Sequence, residues 1–172
     1  MANEGWLVDA HQLYQMLDEL DLNNKDFNKA LRGAFNKSSR LIKAEAARNL
    51  KQVSYDGGTI RNAAFLSKAI NILVYKSGRG AKIGLFDNRK STIRYKGDTY
   101  TNPAYILRWI NSGTDVRVLK GRGKYPAGTN RGAMPVRPFF AMAVQSKYNE
   151  AQDALESNIQ NEIIKIANKK RK

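Results

Sequence analysis

The chain carries one histidine, His11, no cysteine and fifteen aspartate or glutamate residues, and acid–base, nucleophilic or metal chemistry would have to be built from these. A general base needs a nucleophile or a substrate proton within hydrogen-bond reach. The acids near His11 in sequence, Asp9, Asp18 and Glu19, supply neither, so His11 reads as a surface histidine on an acidic segment. Ser38, Ser39, Ser54, Ser67, Ser77 and Ser112 have no second histidine to activate them. The carboxylates show neither the pairing of a glycosidase nor the spacing of a two-metal site. One imidazole and no thiolate leave no Cys/His metal centre. Ser77-Gly78-Arg79-Gly80 and Gly121-Arg122-Gly123-Lys124 look like phosphate cradles but lack the frame closing on Gly-Lys-Ser/Thr; they read as a hairpin turn and a flexible loop. The expectation is a protein that is not an enzyme and has no metal and no cofactor.

What remains is electrostatic. The net charge is +15, and it is segregated: residues 1–24 contain five acids and no Lys or Arg, whereas residues 61–137 hold sixteen Lys/Arg against Asp87, Asp98 and Asp115. In a ring or stack, such asymmetry matches the acidic part of one subunit to the basic part of the next. Arg117, Lys120, Arg122, Lys124 and Arg131, with Tyr125 among them, gather in the Gly/Pro-rich stretch 114–137, which Arg137 ends. A basic loop of this kind contacts nucleic-acid phosphates without reading sequence, or orders on an acidic protein surface. Charge alone does not separate the two. No run approaches the ~18 apolar residues of a membrane span, and the first residues lack the basic-then-apolar order of a secretory signal. A soluble protein made inside a cell, with no membrane partner, is expected.

These side chains must be carried by elements that the periodicity outlines. Leu13, Met16, Leu17 and Leu20 share one face of an acidic N-terminal helix within 1–24, with Asp9 as its N-cap. Asn23 or Asn24 caps a second helix running to about Val53, with Phe27, Leu31, Ala34, Phe35, Leu41, Ile42, Ala46 and Leu50 as its apolar stripe. Asp56-Gly57-Gly58 is turn chemistry, and Thr59 is placed to cap a brief helix through Ala63, Ala64 and Leu66. Ile70–Tyr75 and Ala81–Leu85 read as antiparallel strands. Thr92–Tyr95 reads as a third strand, and Thr99–Thr101 as an extension of the sheet. Pro103 opens a helix with Tyr105, Ile106, Trp109 and Ile110 on its apolar face and Gly113 as its stop. Residues 114–137 read as a long basic loop with no free-standing element, and 138–172 as a long C-terminal helix that Phe139 and Phe140 staple to the sheet. The prediction is a single α+β domain over 1–172: N-terminal helices and a long C-terminal helix on a small, mostly antiparallel sheet.

In this order the elements resemble the tail-completion and head-to-tail joining proteins of tailed bacteriophages, related to the minor tail protein Z group. The resemblance rests on the spaced leucines Leu13, Leu17 and Leu20, and on the Ala/Lys-rich helix from Ala30 to Leu50. It continues with Gly58 ahead of Leu66-Ser67-Lys68-Ala69-Ile70, then Trp109-Ile110-Asn111-Ser112-Gly113-Thr114, and finally Arg137-Pro138-Phe139-Phe140-Ala141-Met142-Ala143. Gly113, Thr114, Pro138 and Phe139 are its structural anchors. The family usually has an acidic residue shortly before Gly-Thr, where this chain has Asn111-Ser112, and a shorter stretch between the two anchor motifs. The resemblance implies a virion component of the neck, assembled in the host cytoplasm, forming a six-fold ring of itself between the portal-connector assembly and the tail tube or tail terminator. Such a protein acts by docking, with Arg117, Lys120, Arg122, Lys124, Tyr125, Arg131 and Arg137 as its candidate contact residues. Packaged DNA in the lumen is a further implied partner. The competing reading from composition is a basic nucleic-acid-binding module acting through phosphate contacts.

Overall fold

In the computed structural model, two long helices carry the core. The structure describes residues 5–9, 24–55, 58–59, 63–78, 80–86, 92–95, 98–118, 121, 126–130 and 132–170. The predicted helix over Leu13–Leu20 lies outside them. Helix α1 (Asn24–Gln52) starts at one of its two capping candidates and buries Phe27, Leu31, Ala34, Phe35, Ile42, Ala46 and Leu50 along one face, as the stripe predicts. Ser38 interrupts that face without cost in unmet polarity, because its hydroxyl donates to Ala34 O at 2.9 Å.

The chain continues through a hairpin of two-residue strands, β2 (Ser54–Tyr55) and β3 (Gly58–Thr59), and a short helix α2 (Ala63–Leu66) that runs into a 3-10 turn, Ser67–Ala69. Thr59 therefore belongs to a strand and does not cap α2. Two residues of type Asp-Gly between short strands are the strongest short hairpin signal, and here that signal outweighs the capping propensity of threonine.

Strands β4 (Ile70–Val74) and β5 (Gly80–Leu85) pair antiparallel, with Ile72 opposite Ile83. Gly78, at φ +72°, makes the turn between them, and its N–H donates to Tyr75 O at 2.9 Å. The other edge of β5 is taken by β1 (Gly5–Asp9), giving the order β1-β5-β4. This strand corrects the reading of 1–24 as helix: Asp9 ends β1. Five residues are too few for periodicity to separate strand from helix, and pairing with β5 decides. Strands β6 (Thr92–Tyr95) and β7 (Asp98–Thr101) are where the sequence puts strands, but they form a separate two-stranded ribbon and do not extend the sheet.

Helix α3 (Pro103–Ser112) and the long helix α4 (Phe139–Lys170) complete the fold. The C-terminal half of α4, through Leu155 and Ile159, packs with Phe27, Leu31 and Phe35 of α1. Its first turns, through Phe139, Phe140 and Ala143, pack with Ile42, Ala46 and Leu50. The two helices therefore run antiparallel, and Asn49 Nδ2 donates to Phe139 O at 3.2 Å where one ends and the other begins. The architecture is α+β. Within it α1 is the central element, because both the β4–β5 hairpin and α4 lie against it. Among the described residues no helix is long and apolar enough to cross a membrane.

Candidate functional site

Helix α3 is fixed at both ends. At its start Asn102 is buried, and its Oδ1 accepts from Ala104 N at 2.9 Å, with Pro103 at the first helical position where no N–H is needed. Ala104, Leu107 and Ile110 face the core, and Asn111 is buried beside them. Tyr105 and Trp109, expected on the apolar face, are 42% and 39% exposed. The helix has two apolar stripes, and packing selects the one through Leu107. Its outer stripe is Tyr105, Arg108, Trp109 and Ser112, spaced i, i+3, i+4 and i+7. Arg108 is held on that stripe: its Nε donates to Leu85 O at 2.8 Å and its guanidinium stands 5.8 Å from the centre of the Tyr105 ring.

Gly113 ends α3 at φ +72° and ψ −175°, a conformation essentially reserved for glycine. A Cβ there would meet Met134 O at 2.8 Å. That close approach lets Thr114 N donate to Met134 O at 3.0 Å, while Met134 N donates to Thr114 Oγ1 at 3.0 Å. Farther out, Arg117 N donates to Gly132 O at 3.1 Å and Val118 bridges to Asn130. The stretch expected to have no element of its own thus folds back as a narrow antiparallel arm. Gly121, Gly128 and Gly132 all have positive φ along it, and Thr129 Oγ1 closes on Pro126 O at 2.8 Å.

The arm returns to its origin. Arg137 N donates to Ile110 O at 2.9 Å, and Phe140 N donates to the buried Asn111 Oδ1 at 3.1 Å. The Gly113-Thr114 and Arg137-Pro138-Phe139 motifs, over twenty residues apart in sequence, therefore meet in one junction. Phe139 is buried in it, as expected, and Pro138 is exposed.

Of the candidate contact residues, Arg117 and Arg137 are exposed on the arm and its root. Lys120, Arg122, Lys124, Tyr125 and Arg131 lie outside the described residues. Sequence reasoning missed Asn111, Met134 and Arg108. The signal for Asn111 was its place as a polar residue on the inward stripe of α3; nothing in sequence marks Met134, which acts through its backbone. Exposed apolar side chains concentrate around this junction: Tyr105, Trp109, Val116, Val118, Val136 and Met142. Among the described residues no group of His, Asp or Glu is placed to hold a metal ion. No protein-family model, no curated protein and no solved structure matches the chain.

Proposed function

We propose that the chain is a structural protein of a tailed-bacteriophage virion that forms a ring, six-fold by the resemblance, at the head-to-tail interface. It joins or completes the tail by docking to a connector protein on one side and the tail tube or terminator on the other, with packaged DNA passing its lumen. The observation that carries the reading is the junction itself. The two motifs on which the resemblance depends are bonded to each other through Arg137–Ile110 and Asn111–Phe140, Thr114–Met134 closes the arm between them, and that arm has Val116, Arg117 and Val118 exposed. An arm with a hydrogen-bonded root and exposed valines along its stem suits contact with a neighbour better than catalysis.

The test is completion in vitro. Heads and tails assembled without this chain should remain unjoined and become joined when the purified chain is added. A variant with 117–131 replaced by a two-residue turn, keeping the Thr114–Met134 closure, should fold and fail to join them. If instead the chain leaves heads and tails unjoined and binds duplex DNA with an affinity that falls steeply with salt, log K dropping by about 0.9 per phosphate contact per decade, the nucleic-acid module replaces this reading.

A further inference from the structure

The outer stripe of α3 and the root of the arm are joined by the junction: Tyr105 and Trp109 are exposed with Arg108 between them, Arg117 and Arg137 are exposed on the arm and its root, and Asp115 is the one exposed acid there among the described residues. Tyr, Trp and Arg are the residues most enriched where protein contacts concentrate their energy, since each offers a large, stiff or forked surface at low ordering cost. A second exposed stripe runs along α4. Met142, Gln145, Asn149, Asp153, Glu156, Gln160 and Ile164 recur every three to four residues, opposite the buried Ala151, Leu155 and Ile159. At 1.5 Å per residue it is about 33 Å long. Met142 and Ile164, its ends, are 57% and 56% exposed, and its centre carries Asp153 and Glu156 with no Lys or Arg on the line. Among the described residues neither acid has an ion-pair partner, whereas Glu150 and Glu162, off the line, pair with Lys147 and Lys165.

We infer that these two faces are partners, and that the chain associates head to tail with a second copy of itself: the Tyr105/Arg108/Trp109 face and arm root of one copy lie across the Asp153/Glu156 stripe of the next. The inference rests on the ring reading for its closure, because only a rotation that returns to the start stops such a chain of contacts. The contact itself is argued from complementarity. The cationic side has aromatics where the acidic side has apolar ends, and opposite charges meet with neither face able to satisfy its own twin. Two different faces make the interface heterologous, so each copy keeps one unused half until the ring closes.

That asymmetry supplies the experiment. The full-length chain, D153K/E156K and R108E/R117E are compared by sedimentation velocity, with Y105A/W109A as a variant that changes no charge and touches only exposed side chains; circular dichroism confirms that each is folded. The wild type should self-associate, and each charge variant should lose association at least ~100-fold, as juxtaposed like charges require. Mixing the two charge variants should restore association beyond a pair, since the two unaltered faces meet as in the wild type and the two reversed faces are again opposite in charge. Assembly of D153K/E156K like the wild type overturns the inference while leaving the ring reading standing on another face. Failure of folded, monomeric charge variants to pair also overturns it. A wild type that neither self-associates nor joins heads to tails sinks both.

Discussion

The α1–α4 helix pair and the α3–arm junction hold the molecule by different means. The helix pair is large and apolar: Phe27, Leu31, Phe35 and Ile42 on one side meet Phe139, Ala151, Leu155 and Ile159 on the other, and area excluded from water does the holding. The junction is small and directional, made of a glycine with no room for a Cβ and hydrogen bonds between named backbone groups. The first arrangement tolerates exchange of one apolar shape for another. The second tolerates little at a few atoms, yet its failure need not spread.

Substitutions separate the two. Phe35→Ala should cost about 3–5 kcal/mol of global stability, read as a lowered denaturant midpoint with all protected amides exchanging together. Gly113→Ala should cost about 1–3 kcal/mol from backbone strain alone, with the contact to Met134 O adding to it. Its mark should be local: faster hydrogen exchange at Thr114 and Arg117, with exchange in α1 nearly unchanged. A uniform loss across the molecule would instead mean that the junction is part of the core. Asn111→Ala leaves Phe140 N buried without its acceptor and should cost about 1–3 kcal/mol, exposing the first turn of α4 to exchange. Thr114→Val removes one acceptor for Met134 N at a half-buried site and should cost about 1 kcal/mol.

The smallest effect lies on the surface of the helix pair. Glu162 near the end of α4 has its pKa held below the ordinary 4.5, chiefly by the hydrogen bond from Lys165. A lowered folded pKa stabilises above the unfolded value and loses that contribution as pH falls through the folded one. For an exposed pair three residues apart, about 0.2–0.5 kcal/mol should disappear below pH 4 or on adding salt, as Glu162→Gln measured across pH would reveal.

The same contrast explains what the sequence made legible. The α1 stripe is written in the chain because 3.6-residue periodicity over seven turns has few alternative readings, and the β4–β5 hairpin announces itself by alternation around a glycine turn. Strand β1 was hidden because Gly5–Asp9 becomes a strand only by meeting the edge of β5. The inward face of α3 was misread because Tyr105 and Trp109 are as apolar as Leu107, and only the position of the core distinguishes them. At the junction, Gly113, Thr114 and Phe139 were legible as anchors, but their bonding was not. Thr114 is answered by the main chain of Met134, and Arg137 by that of Ile110; a backbone group carries no residue type to read.

Closing the arm at Thr114–Met134 has a further consequence, for the chain between those residues. Once its ends are fixed, lengthening a loop costs only the slowly growing entropy of closure, about 0.6 kcal/mol for each doubling. The segment between the two anchors can therefore gain or lose residues, or exchange its charges, while the domain beneath it registers almost nothing. If the arm meets other proteins, as proposed, it is in this way free to change at the rate its partners do, on a base that has no reason to follow.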